Sequence, residues 1–217
     1  MTPRWLALSV VVAFLFAVLG IAHTLWATRR FGSRRPLAPA VGGEDAGIRY
    51  ALFAGMMPWA KESARKHVPT FLAGVVYHMG IAAGFIVLLA VLTSYNAAEP
   101  VRSILFSCLV GGAVAGAGLL VKRQATYALR AISTPDDYMA NGLVTAFVIA
   151  AAATLRAGQF AVPFLAIAVL LLLYVPLGKI RHCALFFVSR ITFGRFFGRR
   201  GVLPRPAAPI GDSRAGR

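Results

Sequence analysis

Long apolar runs, separated by short basic or Pro/Gly-containing connections, organise this chain. Five runs are long enough to cross a hydrocarbon core of about 30 Å, which takes roughly 20 helical residues. They cover about 5–27, 68–95, 101–121, 138–155 and 160–188, the last running from Phe160 to about Ile180 and on toward Val188. Their apolar positions are continuous rather than alternating, which predicts helices and not barrel strands. The pattern therefore predicts an all-α, five-helix membrane bundle over residues 1–188 and a basic tail over 189–217.

The connections carry their own signals. In Ser133-Thr134-Pro135-Asp136-Asp137, Thr134 suits the N-cap of the fourth span and Pro135 its first helical position. The two acids suit the positive end of the helix dipole. Between the first two spans, Arg34 to Gly47 reads as a loop. Tyr50 to Lys66 mixes Phe53, Met56, Met57 and Trp59 with Lys61, Arg65 and Lys66. This is the composition of an interfacial helix or of a loop anchored by Trp59, with Pro58 as a break. After Gly201 a Pro/Arg/Ala/Gly stretch without apolar period is expected to lack order by itself. The first run has Arg4 before an apolar centre, as a signal peptide does. It is longer than such a centre and is followed by Arg29, Arg30, Arg34 and Arg35, so it is expected to be retained.

Composition fits that picture. The 217 residues are 59% apolar and 14% charged, with a mean hydropathy of +0.72, whereas soluble domains are about half apolar and a quarter charged. Basic residues number 23 against 7 acids, a net charge of +16. On a soluble domain that balance points to nucleic acid. Here the cations flank apolar runs, so it reads as loop asymmetry, and no nucleic-acid partner is expected. Twenty cations fall on one side of the bundle, and only Arg4, Arg102 and Arg156 on the other. Cations collect in the cytoplasm, which puts the N-terminus outside and the C-terminus inside a bacterial inner membrane. Cys108 and Cys183 form no CxxC pair, so any iron–sulfur cluster belongs to a partner.

Four histidines remain. Titratable groups within membrane segments point to function. His78 lies in the second span, about 25 Å of helix rise from Tyr95. His182 lies toward the inner end of the fifth, about 33 Å from Phe160 by the same rise, with Pro176 as a kink. Both depths fall in the cytoplasmic half, where two facing imidazoles can hold a haem iron from both sides. His67, three turns before His78 and on the same face, is an alternative ligand. His23 has no evident partner. Gly74, Gly80 and Gly84, with Gly111, Gly112, Gly116 and Gly118, either let helices approach closely or leave room for a macrocycle.

Val76-Tyr77-His78-Met79-Gly80-Ile81 resembles the first haem-ligand motif of the gamma subunit of respiratory nitrate reductase. Pro176-Leu177-Gly178-Lys179-Ile180-Arg181-His182 resembles the C-terminal ligand motif at the cytoplasmic end of its last helix. Lys122-Arg123, Arg130 and Ser133-Thr134-Pro135-Asp136 resemble its connection between helices three and four. The resemblance spans about 68–188. It implies a cytochrome b that exchanges electrons between membrane quinone and a cytoplasmic-side iron–sulfur subunit leading to a catalytic redox subunit, with His78 and His182 as ligands of haem b. Arg181, Lys179 or Arg130 are candidates to neutralise the haem propionates. The family's outer-haem positions hold Leu88 and about Phe164 here, so one haem is expected instead of two. Nitrate is not assumed as the terminal substrate. The rival expectation is a non-redox membrane anchor, assembly factor or small transporter. Nearly acid-free spans argue against proton coupling in the last.

Overall fold

The computed structural model describes residues 3–30 and 38–204, without the side chains of Glu62 and Ser63. Arg34, Arg35 and the stretch from Arg205 onward lie outside these residues. Every regular element among the described residues is helical. Four helices are long and apolar enough to cross a membrane, or five if one broken pair counts as a single span, as in a multi-pass membrane protein. The chain divides into two compact units. One comprises 1–28 and 67–182; the other comprises 29–66 and 183–217.

The first unit contains α1 (Arg4–Arg29), α4 (Val68–Thr93), α5 (Glu99–Ala125), α6 (Tyr127–Ala131), α7 (Pro135–Arg156) and α8 (Ala161–Tyr174). In α1 the buried residues Leu6, Val10, Ala13 and Ala17 recur every three or four positions, one stripe of a helix. The other faces expose Leu8, Val12 and Leu19, the last at 69%. Val114 on α5 is equally exposed. Apolar exposure of this extent in water marks a surface meant for another apolar phase, and lipid supplies it. Phe147 and Phe164 are fully buried with their ring centroids 5.3 Å apart, and Phe85 stacks on Phe147 at 5.0 Å.

In lipid there is little hydrophobic gain from helix association, so close packing has to hold the helices together. The glycines of α4 and α5 do this. A Cβ on Gly80 would lie 2.6 Å from the Gly112 Cα, so the two backbones cross in direct contact. A Cβ on Gly84 would meet the Phe147 ring at 2.7 Å. By contrast Gly74 and Gly118 face open space. Thr134 caps α7 as its sequence predicts, its N–H donating to Asp137 Oδ2 at 2.9 Å.

The fifth run does not continue as one helix. α8 stops at Tyr174, and a 3-10 turn, Lys179–Arg181, precedes the next helix at His182. Pro176 has no N–H, and its ring clashes with a helical carbonyl four residues back. Gly178 completes the break: a Cβ there would lie 2.3 Å from Tyr174 Cζ, so only glycine lets that ring fold over the turn. The 14 residues of α8 rise about 21 Å, short of the hydrocarbon thickness. The straight-helix depth for His182 therefore does not hold.

The second unit contains α2 (Glu44–Leu52), α3 (Glu62–Lys66) and most of α9 (His182–Arg199). The sequence boundary at residue 188 falls inside α9, because its apolar and aromatic positions extend to Phe197. Residues 50–66 form no continuous helix. α2 ends at Leu52, and Pro58 opens one of two 3-10 turns that follow. Gly47 on α2 sits against Gly194 and Gly198 on α9, where a Cβ would meet the Gly194 carbonyl oxygen at 2.2 Å and the Gly198 Cα at 2.5 Å. Glu44 clamps this crossing by pairing with Arg195 at 3.6 Å and Arg199 at 3.3 Å. Burial, with the Arg190 charge adding to it, holds the Lys61 ammonium below its ordinary range.

Candidate functional site

His78 and its neighbour Tyr77 leave α4 in different directions, as successive helical residues must at about 100° per residue. Tyr77 is buried. Its hydroxyl donates to the Asn141 carbonyl at 3.0 Å and shares a hydrogen bond with Thr145 Oγ1 at 2.8 Å. Thr145 Oγ1 also lies 3.2 Å from Asn141 Oδ1. Gly116 makes this possible, because a Cβ there would lie 2.5 Å from the Tyr77 ring and 2.6 Å from Thr145 Oγ1. This polar knot ties α4 to α7 and fixes the rotation of α4.

His78, held outward, is exposed. Its Nδ1 lies 2.7 Å from the Gly74 carbonyl oxygen, one turn back. A carbonyl only accepts, so Nδ1 is the donor in this contact. His182, exposed at the start of α9, repeats the arrangement, with Nδ1 2.6 Å from the Lys179 carbonyl oxygen. Each neutral imidazole is thus set in the tautomer of an Nε2 metal ligand whose other nitrogen is anchored to backbone. No three His, Cys, Asp or Glu side chains converge among the described residues.

The turn before His182 is anchored from α7. Lys179 reaches Asp137 Oδ2 at 2.5 Å, and Arg123 approaches Asp137 Oδ1 at 3.5 Å while donating to Ser133 Oγ at 2.8 Å. Tyr174 hydrogen-bonds Asp136, and Lys122 hydrogen-bonds Thr70. Asp137 therefore fixes the side chain of the residue whose carbonyl orients His182.

His67 is exposed and is the N-cap of α4, with φ −133° and ψ 46°. It lies outside the regular helix, so the count of three turns to His78 does not set its direction. His23 is exposed, with its ring centroid 6.2 Å from that of Trp26. Among the propionate candidates Lys179 is committed to Asp137. Arg130 donates to the Gln124 carbonyl at 3.0 Å and lies 5.9 Å from the Tyr127 ring. Arg181 is exposed, and its guanidinium makes no hydrogen bond or ion pair with any described residue.

Sequence reasoning assigned no role to the Tyr77–Thr145–Asn141 knot. Its signal is weak: a polar residue in α7 four positions after another, opposite a tyrosine more than 60 residues away. No family model, curated protein or solved structure matches this chain.

Proposed function

We propose that this chain is the haem b subunit of a respiratory oxidoreductase complex in a bacterial inner membrane, with five spans, its N-terminus outside and its C-terminus in the cytoplasm. It relays electrons between membrane quinone and a cytoplasmic-side iron–sulfur subunit. One haem is held between His78 and His182. The observation that carries the reading is the matched state of the two imidazoles, each with Nδ1 donating to a main-chain carbonyl. Gly74, which supplies one carbonyl, has open space where a side chain would stand, and this accommodates a flat ring beside His78.

Haem, when bound, would supply one-electron exchange, and His78 and His182 are the residues that would hold it. The protein's part is positional. The Tyr77 knot sets the rotation of α4 and so the direction of His78. The Asp137–Lys179 pair sets the turn before His182. Arg181, exposed and uncommitted, is the cation best suited to a propionate.

A dithionite-reduced minus oxidised spectrum of the purified protein tests this. The wild type is expected to show a b-type haem band at one haem per chain, and His78→Ala and His182→Ala to lose it. A colourless wild type leaves a non-redox anchor, assembly factor or small transporter. Loss of haem in His67→Ala but not in His78→Ala reassigns the ligand, and a stoichiometry of two defeats the single-haem claim.

A further inference from the structure

The end of the bundle away from His182 holds a cavity of about 390 Å³ between the ends of α4, α5 and α7 and the start of α8. Its floor is apolar, with Val87, Val91, Leu105 and Ala161 among its lining residues, and Ser94, Tyr95, Asn96 and Thr154 line it with polar groups. Ser94, in the left-handed conformation at φ 55°, turns the chain out of α4 at this level.

Two arginines share the cavity, Arg102 and Arg156. A second cleft, of about 250 Å³, is lined by the same two residues. By the sequence count, this side of the bundle carries only three of the 23 cations, so two of the three meet at one place. Arg102 is partly committed: Nη2 donates to the Leu155 carbonyl at 2.9 Å, and Nη1 lies 3.7 Å from Glu99. Arg156 is not. Its guanidinium stacks on the Phe106 ring at 4.6 Å and has no ion pair or hydrogen bond with any described residue. Stacking uses the face of the guanidinium and leaves its in-plane donors available.

We infer that this cavity binds one anionic phospholipid, the phosphodiester meeting Arg156 and Arg102 and an acyl chain lying over Val91 and Ala161. An apolar floor beneath a paired-arginine rim fits an amphiphile with a charged head. A small soluble anion would leave the floor uncovered, and a zwitterionic head would bring its own cation up against the two arginines. The inference rests on the membrane reading of the chain but not on haem.

The test is native mass spectrometry of the full-length protein in mild detergent, titrated with phosphatidylglycerol, phosphatidylcholine or inorganic phosphate. One phosphatidylglycerol per chain is expected to be retained, about tenfold more tightly than phosphatidylcholine. Arg156→Gln should weaken retention by about tenfold. Val91→Trp, which fills the floor, should abolish it with both arginines in place. Equal retention by wild type and Arg156→Gln overturns the inference, as does inorganic phosphate competing as well as lipid. Carbonate extraction separates the two failures. Protein released from membranes refutes the membrane reading itself, whereas inserted protein without bound lipid refutes only this site.

Discussion

Asp137 joins three functions in one carboxylate: it caps α7 through Thr134, binds Lys179, and lies beside Arg123. Asn keeps the shape but removes the charge. Asp137→Asn should lower stability by about 1–2 kcal/mol, roughly a weakened cap plus a partly exposed ion pair, measured by thermal unfolding in detergent. The same variant should reduce haem occupancy without abolishing it, because the Lys179 carbonyl that orients His182 is then less firmly held. Lys179→Gln should reproduce that loss, and the double variant should add little to either single one. Full additivity would mean that the two side chains do not act through each other.

Among the elements, the α4–α5 crossing makes the sharpest demand on residue type. Gly80→Leu must push the backbones apart, and about 1–3 kcal/mol of destabilisation is expected. Gly118→Ala, with open space around it, should be neutral or stabilise by up to about 1 kcal/mol. Parallel unfolding scans check the pair. If the two variants behave alike, the backbone contact does not hold the helices. The spans were legible in the sequence because a continuous apolar run has few alternatives in lipid. The role of each glycine was not, since a missing side chain leaves no trace of whether a backbone, a ring or empty space takes its place. Gly116 serves Tyr77, Gly80 serves Gly112, and Gly74 faces open space. The end of α8 was half legible: Pro176 announces a kink, but a full stop also required Gly178 beneath the Tyr174 ring, a contact that no local propensity encodes. The two imidazoles were candidates from position, but the depth assigned to His182 assumed a helix running through Pro176, and that helix ends at Tyr174. Their shared tautomer needed the carbonyl directions that only coordinates supply.

At the scale of the whole chain, orientation is the claim that charge makes most directly. Reporter fusions check it. An alkaline phosphatase domain fused after Ala97 is expected to be active, and one fused after Pro204 inactive, while a fluorescent protein shows the opposite pattern. Reversal of both would invert the topology and move the His182 turn to the outer face, where a cytoplasmic iron–sulfur partner cannot reach it. The second unit bears on the same question. α9 carries His182, Arg190, Arg195 and Arg199 and no acid, and Glu44 neutralises only part of that charge.

The knot of Tyr77, Thr145 and Asn141 has a consequence for assembly. With Gly116 leaving room for the tyrosine ring, the space between α4, α5 and α7 is filled at the level of the knot by the protein's own side chains, while the neighbouring imidazole stays on an accessible face. A scaffold closed in this way can be manufactured first and loaded afterwards. If the proposed haem is bound there, its supply would limit how much protein is active, but not how much is made.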